Sequence, residues 1–255
     1  MFTQDGGITT ARQLEVALVF GGSITILVFI FAGISGANIN PAVSLALALT
    51  KKISPLRCVA YTFAQCLGAM CGAGLVRVMT PAMFDRVDGG ANEIQKAANA
   101  TESLGVEFGC TFLLVMTVMA ATDATRAKDN GHISTIAPLV VGLAVTVSHF
   151  TAIPVDNCSI NPARTFGVAA ISGNWNDHWV FWFGPYLGAT AAAMCYTYLF
   201  QHELFHATAK KAPEGAAAAP KAQPAPIAAF TSKPDGTVEA VEVRGAAASA
   251  ADEWK

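Results

Sequence analysis

The tripeptide Asn-Pro-Ala occurs twice, as Asn40-Pro41-Ala42 and Asn161-Pro162-Ala163, 121 positions apart and each time between apolar stretches. Asn accepts hydrogen bonds at a helix N-cap, and Pro at the first helical position gives up a donor that would have had no partner. What such residues offer chemically is a helix tip, with amide donors and a partial positive charge held in a fixed place. Irregular backbone leads into each copy, Gly36-Ala37-Asn38 and Asp156-Asn157-Cys158-Ser159. At membrane depth that backbone must line water or be buried in protein, and its carbonyls then form a row of acceptors. Two half-helices with their positive ends meeting near the bilayer midplane are a device of transmembrane pores and transporters. There they oppose any cation, hydronium included, while the Asn40 and Asn161 amides are expected to donate into a lumen.

Further candidates surround the second copy. Arg164 follows it directly, and a charge at membrane depth is expensive enough to be a functional candidate by default. No acid stands beside it in sequence, so backbone carbonyls or water are expected to satisfy its donors. His149, twelve residues before Asn161, reads on its own as a packing or interfacial histidine. Glu107 sits inside an apolar run and is expected to accept hydrogen bonds from loop backbone, holding a re-entrant segment in place. The six cysteines show no metal-ligand spacing; five read as small apolar packers, and Cys158 differs by lying three residues before Asn161. No hydrolase triad context and no phosphate-binding glycine loop is present, so no enzyme, cofactor or metal is expected.

The elements that must position these residues follow from composition. Hydrophobic residues make up 53% of the chain and charged ones 13%, about half the charge of a soluble domain. Apolar runs of roughly 20 residues, long enough to span a bilayer, fall near 14–35, 57–79, 103–123, 133–153 and 178–200, and residues 41–50 as a helix would cover about 15 Å, half the hydrocarbon core. No short apolar core with a cleavage site opens the chain, so no removable signal peptide is expected. Nor does any basic stripe suggest nucleic acid. Lys51, Lys52 and Arg57, then Arg126 and Lys128, then Lys210 and Lys211 fall on one side, which the positive-inside rule makes cytoplasmic. The opposite loop, 80–102, holds the sequon Asn99-Ala100-Thr101 too close to the third span for use to be expected. The short loop 124–132 reads as a charged turn rather than a gate.

Sliding the chain by 121 superposes Ile39-Asn40-Pro41-Ala42 on Ile160-Asn161-Pro162-Ala163, and a shift of 120 aligns Gln65-Cys66-Leu67-Gly68-Ala69 with Pro185-Tyr186-Leu187-Gly188-Ala189. The second half reads span, span, half-helix, span; the first reads span, half-helix, span. An inverted repeat with one member missing explains the odd span count. Loss of an N-terminal helix is the favoured expectation, with a natural five-span variant as the other. Residues 1–13 form an N-terminal segment, 14–206 the channel domain, and 207–255 an Ala/Pro-rich stretch expected to be a disordered cytoplasmic tail.

The chain resembles the aquaporin family, the major intrinsic proteins, through Ile34-Ser35-Gly36-Ala37-Asn38-Ile39-Asn40-Pro41-Ala42-Val43 and Cys158-Ser159-Ile160-Asn161-Pro162-Ala163-Arg164-Thr165-Phe166-Gly167. The resemblance covers about residues 12–205. It implies an all-α polytopic membrane protein of six spans, five of them present here, with two re-entrant half-helices, and a homotetramer with one pore per subunit. It also implies a selectivity constriction made of Phe20, His149, Cys158 and Arg164. That quartet resembles the water-specific branch, as do Thr165 after the arginine, Ala169, and the Phe181-Trp182 pair. Glycerol-conducting members tend to carry Gly in place of the His and Asp in place of Thr165. Cys158 is expected to face the lumen and to be the mercurial-sensitive thiol.

The resemblance implies passive water conduction with no energy coupling, in a bilayer expected to be the plasma membrane. Permeation of glycerol, hydrogen peroxide or ammonia is the neighbouring expectation. A non-conducting subunit that modulates other channels is the expectation from a different class, motivated by the absent span and the long tail.

Overall fold

The computed structural model describes residues 9–123, 132–201, 227–232 and 238–243. Two compact units divide the chain, Met1–Ala207 and Thr208–Lys255.

The regular elements among the first unit's described residues are all helices. Its elements are α1 (Thr10–Ser35), the half-helix α2 (Pro41–Leu49), α3 (Pro55–Met79), the short α4 (Pro81–Arg86), α5 (Ala100–Ala121), α6 (His132–Asp156), the half-helix α7 (Pro162–Ser172) and α8 (Val180–Cys195). Several starts have a chemical reason. Thr9 and Ser54 cap α1 and α3 by accepting from the amides of Arg12 and Arg57. Asn99 opens α5 with a capping box, its Oδ1 taking the Thr101 and Glu102 amides while Glu102 Oε2 takes the Asn99 amide. The sequon asparagine therefore serves as a helix cap. α1 ends at Gly36 and α7 at Gly173, both in the left-handed conformation (φ 79° and 88°) that glycine adopts without strain.

Four of these helices, α1, α3, α5 and α6, are long and apolar enough to cross a membrane. The fifth expected span is only 16 residues long as α-helix, but Tyr196–Gln201 continue it as a six-residue π-helix. The two half-helices have 9 and 11 residues and extend about 14 and 16 Å, so end to end they match a hydrocarbon core of about 30 Å.

The repeat is visible as packing. A shift of 121 carries α1 onto α6, α2 onto α7 and α3 onto α8 with its π-helical end. α1 and α6 cross where Gly21 meets Gly142, which are themselves 121 apart. A Cβ on Gly21 would stand 1.8 Å from Thr146 Oγ1, and one on Gly142 would stand 1.8 Å from Thr25 Oγ1. Thr25 and Thr146 are also equivalent, and each hydroxyl donates back to the carbonyl of its own glycine (3.0 and 3.1 Å). The described residues hold two apolar cores. One joins α1, α5, α6 and the loop before α7; the other joins α2, α5 and α8.

The second unit differs from the expected disordered tail in one respect. Ile227–Ser232 and Val238–Val243 pair as an antiparallel two-stranded sheet, with Ile227 opposite Val243 and Ser232 opposite Val238. The sequence reason is local: Val238, Val241 and Val243 are β-branched, and the run follows a Pro234-Asp235-Gly236 turn signal. The rest of 207–255, the loop 124–131 and residues 1–8 lie outside the described residues.

Candidate functional site

Both tips are built as the two motifs require. Asn40 and Asn161 are extended N-caps, with Pro41 and Pro162 at the first helical position. Asn40 Oδ1 accepts from the Ala42 amide (2.9 Å), and Asn161 Oδ1 accepts from the amides of Ala163 (3.1 Å) and Arg164 (3.4 Å). The tips are also tied to each other. Asn40 Nδ2 donates to the Ile160 carbonyl (2.8 Å), and Asn161 Nδ2 donates to the Ile39 carbonyl (3.1 Å). One hydrogen of each carboxamide is thus spent on the opposite loop, and one is left for whatever occupies the space between. Pro41, Ala42, Pro162 and Ala163 are buried around this junction.

A cavity of about 470 Å³ runs past the junction. Asn40, Asn161, Ser159 and Ile160 line its middle. Phe20, His149 and Arg164 close one end of it. The Phe20 and His149 rings stack with centroids 4.3 Å apart, and the Arg164 guanidinium lies 5.4 Å from the Phe20 ring centre. His149 Nδ1 stands 2.9 Å from the Val145 carbonyl, so that nitrogen carries the proton. Nε2 has no protein partner and is left as an acceptor, so the histidine contributes an acceptor and the arginine donors. At the other end lie Lys52, Arg57, Tyr61, Thr122 and Pro138. Lys52 Nζ reaches Thr122 Oγ1 at 3.2 Å; partial burial lowers its pKa, and Asp123 opposes that shift.

Cys158, expected on the lumen wall, is fully buried instead. It packs with Ala17, Cys110 and Ile153 in the apolar core, outside the residues that line the cavity, and its amide donates to Asp156 Oδ1 (3.0 Å). Asn157 and Cys158 both have positive φ (66° and 55°), so the loop turns sharply here. Glu107 is completely buried in α5, where Oε1 takes the Ser159 amide (2.6 Å) and Oε2 the Ile160 amide (2.7 Å). It therefore grips the loop that carries the second tip.

Three residues brace this site in roles their sequence positions did not signal. Asn92 Oδ1 accepts from both Arg164 Nη1 and the Thr165 hydroxyl, and its Nδ2 donates to the Asp156 carbonyl (3.2 Å). One Arg164 donor is thus met by a side-chain amide from the loop before α5. Asp156 Oδ2 takes the Ser103 hydroxyl (2.5 Å). Gln65 Nε2 donates to the Asn38 carbonyl and to Ser44 Oγ, both at 2.9 Å, bracing the first loop from α3. Lone Asn and Gln residues carry no spacing pattern, and only the fold shows what they hold.

The arrangement is a lined passage with fixed donors and acceptors, and among the described residues no cluster of His, Cys, Asp or Glu could hold a metal ion. A family model described as Major intrinsic protein matches residues 3–196. Among curated relatives, the probable aquaporin PIP2-8 of Arabidopsis thaliana is 46% identical over 201 residues, covering 78% of this chain and 72% of its own length. Aquaporin PIP2-5 of Zea mays is 45% identical over 191 residues, covering 74% and 67%. Among solved structures, the aquaglyceroporin from Plasmodium falciparum superposes with a TM-score of 0.69 at 21% identity, covering 78% of this chain and 87% of that one, a likeness of fold alone.

Proposed function

The chain belongs to the major intrinsic protein family, and from that premise we propose that it is a passive, bidirectional water channel of the plasma membrane with its C-terminus in the cytoplasm. Members of this family are channels embedded in the bilayer, not enzymes. The water reading draws support from relatives named as aquaporins of the PIP2 type, at about 45% identity.

One observation carries the proposal: Phe20, His149 and Arg164 converge at one end of a cavity whose middle is flanked by Asn40 and Asn161. A bulky ring stacked on imidazole narrows the passage toward a single water. Arg164 and the free Nε2 of His149 then replace that water's lost partners with one donor and one acceptor. Cys158 serves this filter from behind, as packing. At the junction each asparagine has one amide hydrogen to offer, so a passing water turns its oxygen toward both tips and a proton-conducting chain is broken. The positive ends of α2 and α7 add an electrostatic barrier to cations. Glu107 holds the second loop in register for this. Assembly as a homotetramer, each subunit with its own pore, completes the reading.

The test is a pair of measurements on the purified chain in proteoliposomes. Osmotic shrinkage should be several-fold faster than in empty vesicles, while a pH-sensitive dye inside should record no added proton leak. Proton flux rising in step with water flux would refute the exclusion mechanism. The alternative of a glycerol facilitator is disfavoured by the ring at His149, which a glycerol-sized passage would have to displace.

A further inference from the structure

Phe20, His149 and Arg164 close one end of the cavity, while Cys158 lies in the core behind them. The loop that carries Cys158 is bent sharply to put it there. Asn157, Cys158 and Ile160 all have positive φ (66°, 55° and 47°). Residues other than glycine keep that conformation only where their surroundings over-determine it. Here three consecutive amides are each held by a buried carboxylate. Glu107 takes those of Ser159 and Ile160, and Asp156 Oδ1 takes that of Cys158 (3.0 Å).

Asp156 is itself anchored on every side. It is fully buried at the end of α6, and its Oδ2 takes the Ser103 hydroxyl of α5 (2.5 Å). Its carbonyl takes Asn92 Nδ2 (3.2 Å) and the Glu93 amide (3.3 Å), and the Val155 carbonyl takes the Gln95 amide (2.8 Å). A buried carboxylate is tolerated only when its oxygens are bonded, and both of these are. One residue thus joins α5, α6, the loop that carries Asn92 and the loop that carries the second tip.

The first half of the repeat shows a similar turn without the carboxylate. The shift of 121 places Asp156 on Ser35 and Cys158 on Ala37. Gly36 and Ala37 are left-handed too (φ 79° and 48°), with glycine taking the first position at no strain. Ser35 turns its hydroxyl back to the Phe31 carbonyl (3.5 Å). Ala37 lies on the cavity wall, where Cys158 does not.

We propose that Asp156 is a positioning residue that sets the aperture: by holding the Cys158 amide it keeps the thiol in the core, so that three side chains rather than four form the constriction. This rests on the constriction assigned above, whereas exposure of the thiol is measurable without any flux.

The test labels the full chain in lipid nanodiscs with sulfonatoethyl methanethiosulfonate, a charged thiol reagent, and reads each cysteine by mass spectrometry. In the unaltered chain Cys158 should react slowly. Asp156→Ala should speed its reaction about tenfold or more, the shift that loss of one bond to a charged group gives, while its core neighbour Cys110 stays slow. Asp156→Asn, which keeps an oxygen for the Cys158 amide, should leave Cys158 slow. Ser103→Ala, which frees only the far oxygen of Asp156, should give a smaller increase and carries the test should the alanine variant not fold. Fast reaction of Cys158 in the unaltered chain, no acceleration in Asp156→Ala or Ser103→Ala, equal acceleration in Asp156→Asn, or Cys110 rising in step with Cys158 would overturn the proposal. In proteoliposomes, labelled Asp156→Ala should lose water flux that dithiothreitol restores. Flux that survives labelling of Cys158 would overturn the constriction assigned to that end, not the hold on the thiol.

Discussion

At the scale of single residues, most of the selectivity rests on what each side chain has left to offer after the protein has used it. His149 spends Nδ1 on the Val145 carbonyl and leaves Nε2 without a protein partner. Replacing it with glycine removes both the acceptor and the ring stacked on Phe20. His149→Gly should therefore raise glycerol permeability about tenfold or more while water flux persists, as light scattering on vesicles would record. Glu107 is the reverse case, a carboxylate wholly spent on two amides. Each such charge-assisted bond is worth roughly 1.5–3 kcal/mol, so Glu107→Ala should cost about 3 kcal/mol or more, seen as a lower thermal midpoint in detergent. Cys158 shows where residue-level reading fell short. Its distance from Asn161 pointed to the lumen, but side-chain direction depends on backbone torsion, and the left-handed turn at Asn157 and Cys158 accompanies a thiol buried in the core. Mercurial treatment should accordingly leave water flux largely intact, and Cys158→Ser should change nothing. Block that disappears in that variant would restore the lumen assignment.

At the scale of elements, the α1–α6 crossing decides whether the halves meet. Gly21 and Gly142 allow backbone contact that any Cβ would break, and the obstacle includes carbonyl oxygen as well as a threonine side chain. Gly142→Leu should destabilise the protein by about 3 kcal/mol, the upper range for forcing bulk into a packed site. Gly22→Ala, with nothing within 4 Å, should be neutral or slightly stabilising when the two are compared by unfolding in detergent. Helix existence and caps were legible in the sequence because membrane spans announce themselves by length and because Asn-Pro writes a helix start in two letters. The π-helical end of the last span was not legible, since Tyr196–Gln201 carries no breaker. Asn92 was hidden for another reason: its partners Arg164 and Thr165 lie more than 70 residues away, and one amide side chain among polar loop residues has no periodicity to betray it.

At the scale of the whole molecule, a single 121-residue shift relates three pairs of elements, one glycine crossing and two asparagine tips. That repeat was readable from the sequence alone. What it could not show was how the two tips tie to each other, each asparagine donating to the carbonyl of the opposite loop. The same scale holds the central claim, that the passage conducts water and discriminates against larger neutral solutes. The measurement that tests it most directly is paired stopped-flow light scattering on proteoliposomes of the full chain, with water and glycerol gradients. Water flux should exceed that of empty vesicles several-fold while glycerol flux stays at their level. Glycerol flux rivalling water flux, or water flux no faster than that of empty vesicles, would contradict it.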